Sequence, residues 1–475
     1  MKKYTLLFYL LLVGQLSAQP LSPEIMVFEE EIEALQSYFH IPGLAILVDD
    51  GHGANYERYF GWADVERDQR LGPDFVFPIA SLTKIFSAIL IHQLHDAGQL
   101  SLRDPVRQHL PNCGLPEEVR IEHLLSHTSQ GQPGEQFYYS FRFALLTPII
   151  EAASGKDFAT LVRERITEPL RMQRTTLLPE ASQAADLDVT LAQPYALAEG
   201  STEVVRGPLE YGYSASAGVL STARDLSLLA RSLHYGGLLS GESYQRLVEP
   251  YRPGLPYGLG IFSQRVRSLE VYWGYGQYDA YSSLYLHVPQ KNLTFVLLAN
   301  NNLLSDPARL INGDVTSSLF ALAFFKYLVF SPSQPPHLPR EQLLAQAMAS
   351  GYMARYQASE WQKSVDLLDE LLEKYPDYWD YGNLNLLHLF SFLKSAAAHL
   401  DLGPFDRFDA QLEKLAQQLL TKDPDNPYVH YYLGSYAVQK GDSLGAQQYF
   451  KHLLDLPNFT EHWYTREAKA WLDQH

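Results

Sequence analysis

Cysteine is almost missing from this chain: Cys113 is the only one in 475 residues. A single thiol excludes an intramolecular disulfide and a thiolate metal cluster. Cys113 lies in a Pro- and Gly-flanked loop with no catalytic pattern around it and reads as a small packed hydrophobe. Excess positive charge is missing too. With 37 Lys and Arg against 54 Asp and Glu, the formal net charge is −17, which speaks against nucleic acid and anionic membrane surfaces as partners. No long low-complexity tract, phosphate-binding glycine loop or zinc motif is present, so neither a cofactor nor a metal is expected. His123 and His127 are four apart, but they lie in a helix-to-loop segment rather than a ligand motif, and His92 and His95 read as surface or packing residues.

The apolar run Leu6–Val13 is short of the roughly 20 residues that cross a bilayer. It follows Lys2 and Lys3 and precedes Leu16-Ser17-Ala18, so residues 1–18 read as a signal peptide with no stable membrane span. Export to the periplasm or exterior is the expectation. Its removal would take the charge from −17 to −19, two lysines being lost.

The length exceeds what one hydrophobic core usually supports. A helix near Glu24–Phe39 precedes strands at Leu44–Val48 and Tyr56–Trp62, with a turn punctuated by Gly51 and Gly53. From Ser81 to about Val248 the periodicity is mainly helical. Strand patterns return at Val266–Trp273, Ser282–His287 and Leu293–Leu298, the last two joined by the hairpin-like Val288–Asn292. Strands from both ends of this region predict one antiparallel sheet covered by helices, an α/β architecture of α+β type spanning 22–330. The proline-rich stretch Ser331–Pro339 reads as a linker, assigned to 331–340. Residues 341–475 are helical throughout. Leu433, Gly434, Ala446, Phe450 and Pro457 approach tetratricopeptide spacing, Ser364, Leu368 and Pro376 echo it, and Leu384–Lys422 fits two more helices. An all-α tetratricopeptide-like solenoid with a possible protein partner is expected there.

The segment carrying chemistry is Phe77-Pro78-Ile79-Ala80-Ser81-Leu82-Thr83-Lys84, ahead of the apolar run Ile85–Leu94. Ser81 falls at a helix start and Lys84 one turn later on the same face. A serine hydroxyl needs a neighbour to take its proton, and Lys84 serves if its pKa falls toward neutrality. Alone, Ser-x-x-Lys is also what a helix cap with a solvated lysine looks like.

The surrounding segments supply the specificity. Ile41-Pro42-Gly43-Leu44-Ala45, Tyr59–Asp64, Phe77–Lys84, Leu100–Val106, His123–Ser129, Gly218–Leu226 and Tyr257–Gly260 follow one another in the order and spacing of the serine β-lactamase-like and penicillin-binding protein family. The resemblance runs from about Ile41 to Asn301 and is nearest to class C β-lactamases, D-alanyl-D-alanine carboxypeptidases and β-lactamase-like esterases. It implies a β-lactamase/transpeptidase-like fold and a tyrosine from a Tyr-x-Asn motif that shuttles protons. Counting from Pro133-Gly134 gives Tyr139, in a Tyr-Ser-Phe without the asparagine; counting back from Leu145-Leu146 gives Tyr138, with Ser140 in the asparagine's place. Tyr139 is taken, because related esterases often show Tyr-Ser before an apolar residue.

The resemblance also implies a Lys- or His-Thr-Gly strand. The matching stretch is Trp273-Gly274-Tyr275-Gly276-Gln277, where Gly274 replaces the cation that binds a substrate carboxylate. Gly276 still permits close approach to the substrate, Tyr275 lines the site or is a plain strand aromatic, and the Gln277 and Ser81 N–H groups would form the oxyanion hole. The expectation is therefore an exported serine hydrolase acting on a small ester, peptide or cell-wall-derived substrate, less a true β-lactamase. The alternative is a catalytically weak protein that binds cell-wall fragments or scaffolds a partner through the repeats. Residues up to 330 are expected to fold and hydrolyse esters without the repeats.

Overall fold

Every position of strand β1 (Gly43–Asp49) is buried, as a strand covered on both faces must be. The computed structural model describes residues 23–179, 188–330, 338–378, 383–459 and 462–475. The leader expected over residues 1–18 and most of the expected linker 331–340 lie outside these. A turn through Gly51 (φ +87°) and Gly53 (φ +155°) joins β1 to β2 (Ala54–Asp64), and β3 (Gln69–Arg70) pairs beyond it. Short strands follow: β4 (Phe75–Pro78), β5 (Thr176–Leu177), β6 (Thr190–Leu191), β7 (Tyr195–Leu197), β8 (Val204–Arg206) and β9 (Val219–Ser221). The last four strands of the chain are β10 (Phe262–Val266), β11 (Leu269–Gln277), β12 (Ser282–Val288) and β13 (Leu293–Ala299).

Seven strands form the main sheet in the order β10-β11-β12-β13-β1-β2-β3, and every neighbouring pair is antiparallel. Distant segments thus meet at the β1–β13 pairing, where Leu44 faces Ala299 and Val48 faces Phe295. The expected strand Val266–Trp273 is met by β11 from Leu269 onward, but its start is too early: Val266 closes β10 and Arg267 turns with φ +57° between the two strands. No Gly or Asn marks that turn, and Arg267-Ser268 is a weak turn signal by itself. A second sheet, β5-β9-β4-β6, has no counterpart in the sequence expectations because its strands are two to four residues long.

Alternation along the central strands sorts side chains into two layers. Leu44, Ile46, Val48, Phe295 and Leu297 face the helices Pro23–Tyr38 and Leu319–Phe324; Ala45, Leu47, Val296 and Leu298 face the helices Thr83–Asp96 and Ala223–His234. The Thr83–Asp96 helix is buried on nearly all sides, which its unbroken apolar run requires.

The C-terminal region is all α. Pro339–Met353 packs with Ser359–Lys374, Leu384–His399 and Asp409–Lys422 follow, and Pro427–Gln439 packs with Ser443–Asp455 ahead of Trp463–Leu472. A Cβ on Gly434 would fall 2.3 Å from the Phe450 ring, so the glycine admits the aromatic between two helices. The cores are not separate. Ala349, Tyr352 and Met353 of the first of these helices join the apolar layer beneath the sheet, and Tyr138 joins the core of the helical region.

Candidate active site

Ala80 precedes Ser81 in a left-handed conformation, φ +47°, unusual for a residue with a side chain. Such strain costs on the order of 1–3 kcal/mol and is held here by burial, Ala80 being 1% exposed. A short 3₁₀ turn, Ala80–Leu82, then feeds the Thr83–Asp96 helix. This places Ser81 at the helix entrance, partly exposed, with Lys84 one turn in.

Lys84 Nζ donates to Ser81 Oγ at 2.8 Å and to the Ser216 carbonyl at 3.1 Å. Lys84 is only 4% exposed, and burial pulls its pKa from 10.5 down to about 7. Its Nζ lies 5.0 Å from the centroid of the Tyr139 ring and 5.5 Å from that of Phe143. The Tyr139 phenol is pushed well above its usual pKa by burial, partly offset by a hydrogen bond with Ser81, so it stays protonated at neutral pH. Ser81, Lys84 and Tyr139 therefore converge. Tyr138, the alternative, points away: its hydroxyl donates to Asp423 Oδ2 at 2.6 Å in the helical region.

His127 holds the Tyr139 ring in place. The two rings stack at 4.2 Å and 23°, and the Ser140 N–H donates to His127 Nδ1 at 3.0 Å. Burial, and after it the Lys84 charge, keep His127 far below its usual pKa, so it remains neutral. In the Tyr139 register the position of the expected asparagine is Phe141, which is 58% exposed and stacks on His462 rather than facing the serine.

Strand β11 forms the opposite wall. A Cβ on Gly276 would fall 1.9 Å from the Ile79 carbonyl oxygen, so only glycine lets the strand approach the segment leading to Ser81. A Cβ on Gly274 would meet Leu82 Cδ2 at 2.9 Å, so a side chain there would have to push the end of that leucine aside. Tyr275 is buried beside Tyr139, centroids 6.0 Å apart. Gln277 is exposed at the strand's end. The Tyr278 N–H donates to the Tyr281 carbonyl, so the next pair, Gln277 and Ser282, belongs to the non-bonded set and the Gln277 N–H turns away from β12. Because β10 pairs with β11 only as far as Trp273, that edge is open. A donor at this edge and the Ser81 N–H suit an oxyanion.

Three features had no role in the sequence expectations. Ser216 lies in the small-residue run Ser214–Gly218, stitched to the central helix by Ser87 Oγ donating to the Ala215 carbonyl at 2.7 Å and by the Val219 N–H donating to Thr83 Oγ1 at 3.0 Å. The run of small residues was the only available signal. Arg309 lies 3.9 Å from Asp306 and rests over the Trp463 ring at 5.3 Å. The strain at Ala80 leaves no trace in composition. Among the described residues no three metal-ligating side chains converge. None of the described helices is long and apolar enough to cross a membrane. Cys113 is a free, half-buried thiol packed against the apolar core.

An antiparallel sheet over a buried helix that opens on Ser-x-x-Lys defines the β-lactamase and transpeptidase class of fold. The chain belongs to the beta-lactamase family, whose description matches residues 28–315. It is 27% identical over 312 residues to protein flp of Staphylococcus aureus strain MW2, covering 55% of this chain and 60% of that protein. Penicillin-binding protein 4 of Amycolatopsis lactamdurans is 29% identical over 245 residues, covering 43% of this chain and 62% of that one. Among solved structures, the octameric penicillin-binding protein homologue from Pyrococcus abyssi aligns with a TM-score of 0.58 at 24% identity, covering 68% of this chain and 81% of that one. The D-alanine carboxypeptidase AmpC from Burkholderia cenocepacia aligns with a TM-score of 0.51 at 22% identity, covering 59% and 94%. The chain thus spans less than two thirds of the length of these curated relatives.

Proposed function

We propose that this protein is an exported serine hydrolase that forms an acyl-enzyme on Ser81 and hydrolyses a small ester or amide. The observation that carries this reading is the 2.8 Å contact between Ser81 Oγ and a buried Lys84 whose pKa lies at about 7. As a neutral amine, Lys84 accepts the Ser81 proton while Oγ bonds the substrate's carbonyl carbon. The oxyanion is held by the N–H groups of Ser81 and Gln277. Tyr139, protonated and beside the Ser81–Lys84 pair, delivers a proton to the departing alcohol or amine, and Lys84 restores it. Water then attacks the acyl carbon, the same pair takes its proton, and the acid leaves with Ser81 regenerated. No cofactor enters any step.

Export rests on the 1–18 leader, and a protein partner would rest on the tetratricopeptide-like spacing of the helices. Glycine in place of a cation at Gly274, with Leu82 beside it, favours neutral substrates over those with a carboxylate at that place. A small peptide or cell-wall-derived molecule is the further substrate class that the family resemblance implies.

The test is labelling with a fluorophosphonate and with a fluorescent penicillin, followed by identification of the modified peptide. Label on Ser81, absent in Ser81→Ala with the fold intact by circular dichroism, is the expected result. Equal labelling of mutant and parent would sink the assignment and leave the scaffold reading.

A further inference from the structure

Tyr138 and Tyr139 are neighbours in the chain but belong to different cores: Tyr139 packs in the layer beneath the sheet and Tyr138 in the core of the C-terminal helices. Residues 137–140 form no helix or strand, so the repetitive backbone bonding that would fix Tyr139 is missing. On the sheet side it is held by His127, whose carbonyl accepts from the Tyr138 N–H at 2.9 Å and whose ring supports that of Tyr139.

Ser140 Oγ also donates to Gln130 Oε1 at 2.7 Å, and the Phe262 and Tyr275 rings flank Tyr139; further ties come from the helical region. Asp423 accepts from the Tyr138 hydroxyl at 2.6 Å, and the Phe459 ring lies 5.2 Å from that of Tyr138. Three residues past Tyr139, the buried Arg142 donates to Asn458 Oδ1 at 2.8 Å and to the Asn458 carbonyl at 2.5 Å, and to the Ser129 carbonyl at 2.6 Å. Asn458 is itself in a left-handed conformation, φ +65°, and its amide donates to the carbonyls of Ser129 at 3.0 Å and Gly131 at 3.2 Å. The segment from Ser129 to Arg142 is therefore gripped on both sides of Tyr139 by residues about 300 positions away in sequence. A buried guanidinium with only carbonyl acceptors gives up those bonds at high cost, so the grip is firm.

We propose that the C-terminal helical region is part of the active site, with Asp423 and Asn458 as positioning residues that fix Tyr139 through Tyr138 and Arg142. This rests on the acid–base role given above to Tyr139. The function of the region is then to complete the catalytic domain, since displacement of a reacting group by about 1 Å costs up to a hundredfold in rate.

The experiment is a set of double-mutant cycles on a p-nitrophenyl ester in the full chain, with kcat and KM resolved and thermal melting recorded for each variant. Asp423→Leu and Asn458→Ala should each lower kcat on the order of tenfold with KM changed little. Asp423→Asn, which keeps an acceptor for the Tyr138 hydroxyl, should recover most of that loss. In a Tyr139→Phe background, itself down about a hundredfold, neither change should cost anything further. Full losses in that background too, or losses that Asp423→Asn does not recover, would show a merely structural role and overturn the proposal. Unchanged kcat in Asp423→Leu and Asn458→Ala, with Tyr139→Phe impaired, would overturn it while leaving the catalytic reading standing. If Tyr139→Phe is fully active, the acid–base reading fails, and this inference with it.

Discussion

The Lys84 ammonium nitrogen lies 2.8 Å from Ser81 Oγ inside a helix that is buried on nearly every side. Burial is what makes the pair a nucleophile and a base. It disfavours the charged amine and brings the lysine pKa to about 7. Below that pH Lys84 is protonated and has no lone pair for the Ser81 proton. The acylation rate should therefore rise as pH passes upward through about 7 and level off above it, since Tyr139 keeps its proton well into the alkaline range. A pH profile of kcat/KM on a neutral ester checks this. A rate that falls as pH rises through 7 would assign Lys84 the opposite protonation state.

The same burial costs stability. Between the ordinary lysine pKa of 10.5 and the folded value of about 7, only the unfolded chain carries the extra proton, so stability falls as pH drops through that window and the full penalty is present below it. Lys84→Met removes the charge and fills the same space. It should abolish ester hydrolysis yet raise the melting temperature at pH 6 by roughly a few degrees. A lower melting temperature would show that the amine stabilises the site it serves.

Much of this site was legible before the fold was known, and the reason is local periodicity. A three-residue spacing on a helix must put Ser81 and Lys84 on one face, whatever the remainder of the chain does. Gly276 was expected to give room to a substrate, whereas the group packed against it is the Ile79 carbonyl, a contact that no sequence pattern announces. The choice between Tyr138 and Tyr139 could not be made from spacing, because the segment is irregular and one residue of register reverses which ring faces the serine. Leu82 beside Gly274 was invisible for another reason: the cation's absence is written in the sequence, but what lies beside the glycine is a matter of packing. The grip of Asp423 and Asn458 spans 285 and 316 residues, and no pattern in one chain announces a pairing at that range.

Gly276→Ala tests how closely β11 must approach. The added methyl would fall 1.9 Å from the Ile79 carbonyl oxygen and 2.5 Å from Ser283 Oγ, and at least the first is backbone that cannot swing aside. Overpacking of this kind costs about 1–3 kcal/mol and here also pushes the donor edge of the strand away from Ser81. The variant should fold with a lowered melting temperature and label with fluorophosphonate at least tenfold more slowly. Normal labelling would place the oxyanion donors elsewhere.

Substrate preference follows from Leu82 and Gly274. A cation paired with a substrate carboxylate contributes about 1.5–3 kcal/mol, one to two powers of ten in binding. With glycine there and leucine beside it, a penicillin should acylate Ser81 more slowly than a neutral ester of similar size. Arg309 is engaged by Asp306 and covered by Trp463, which limits it as a substitute. Measured second-order acylation constants for the two substrates decide the matter; an equal or faster penicillin reaction refutes the preference.

Cutting the chain after Phe330 tests the seam as a whole. A proline-rich connection and complete catalytic motifs ahead of it led to the expectation of an autonomous hydrolase. The packing argues otherwise. Ala349, Tyr352 and Met353 would be stripped from the layer beneath the sheet, leaving Phe39 and Phe320 without cover from that helix. Tyr38 would lose Glu360 at 2.5 Å, Asn312 would lose Asn385 at 2.7 Å, and Arg142 would keep only the Ser129 carbonyl. Each buried polar group left unpaired costs about 1–3 kcal/mol, more for a charge, against a domain stability of roughly 5–15 kcal/mol. Residues 1–330 should therefore be insoluble, or soluble with a lowered melting temperature and at least tenfold slower ester hydrolysis. Both lengths are to be expressed and compared in ester kinetics, melting and mass in solution. A truncated form active within a few-fold of the full chain would show that the helices dock on the hydrolase without serving it.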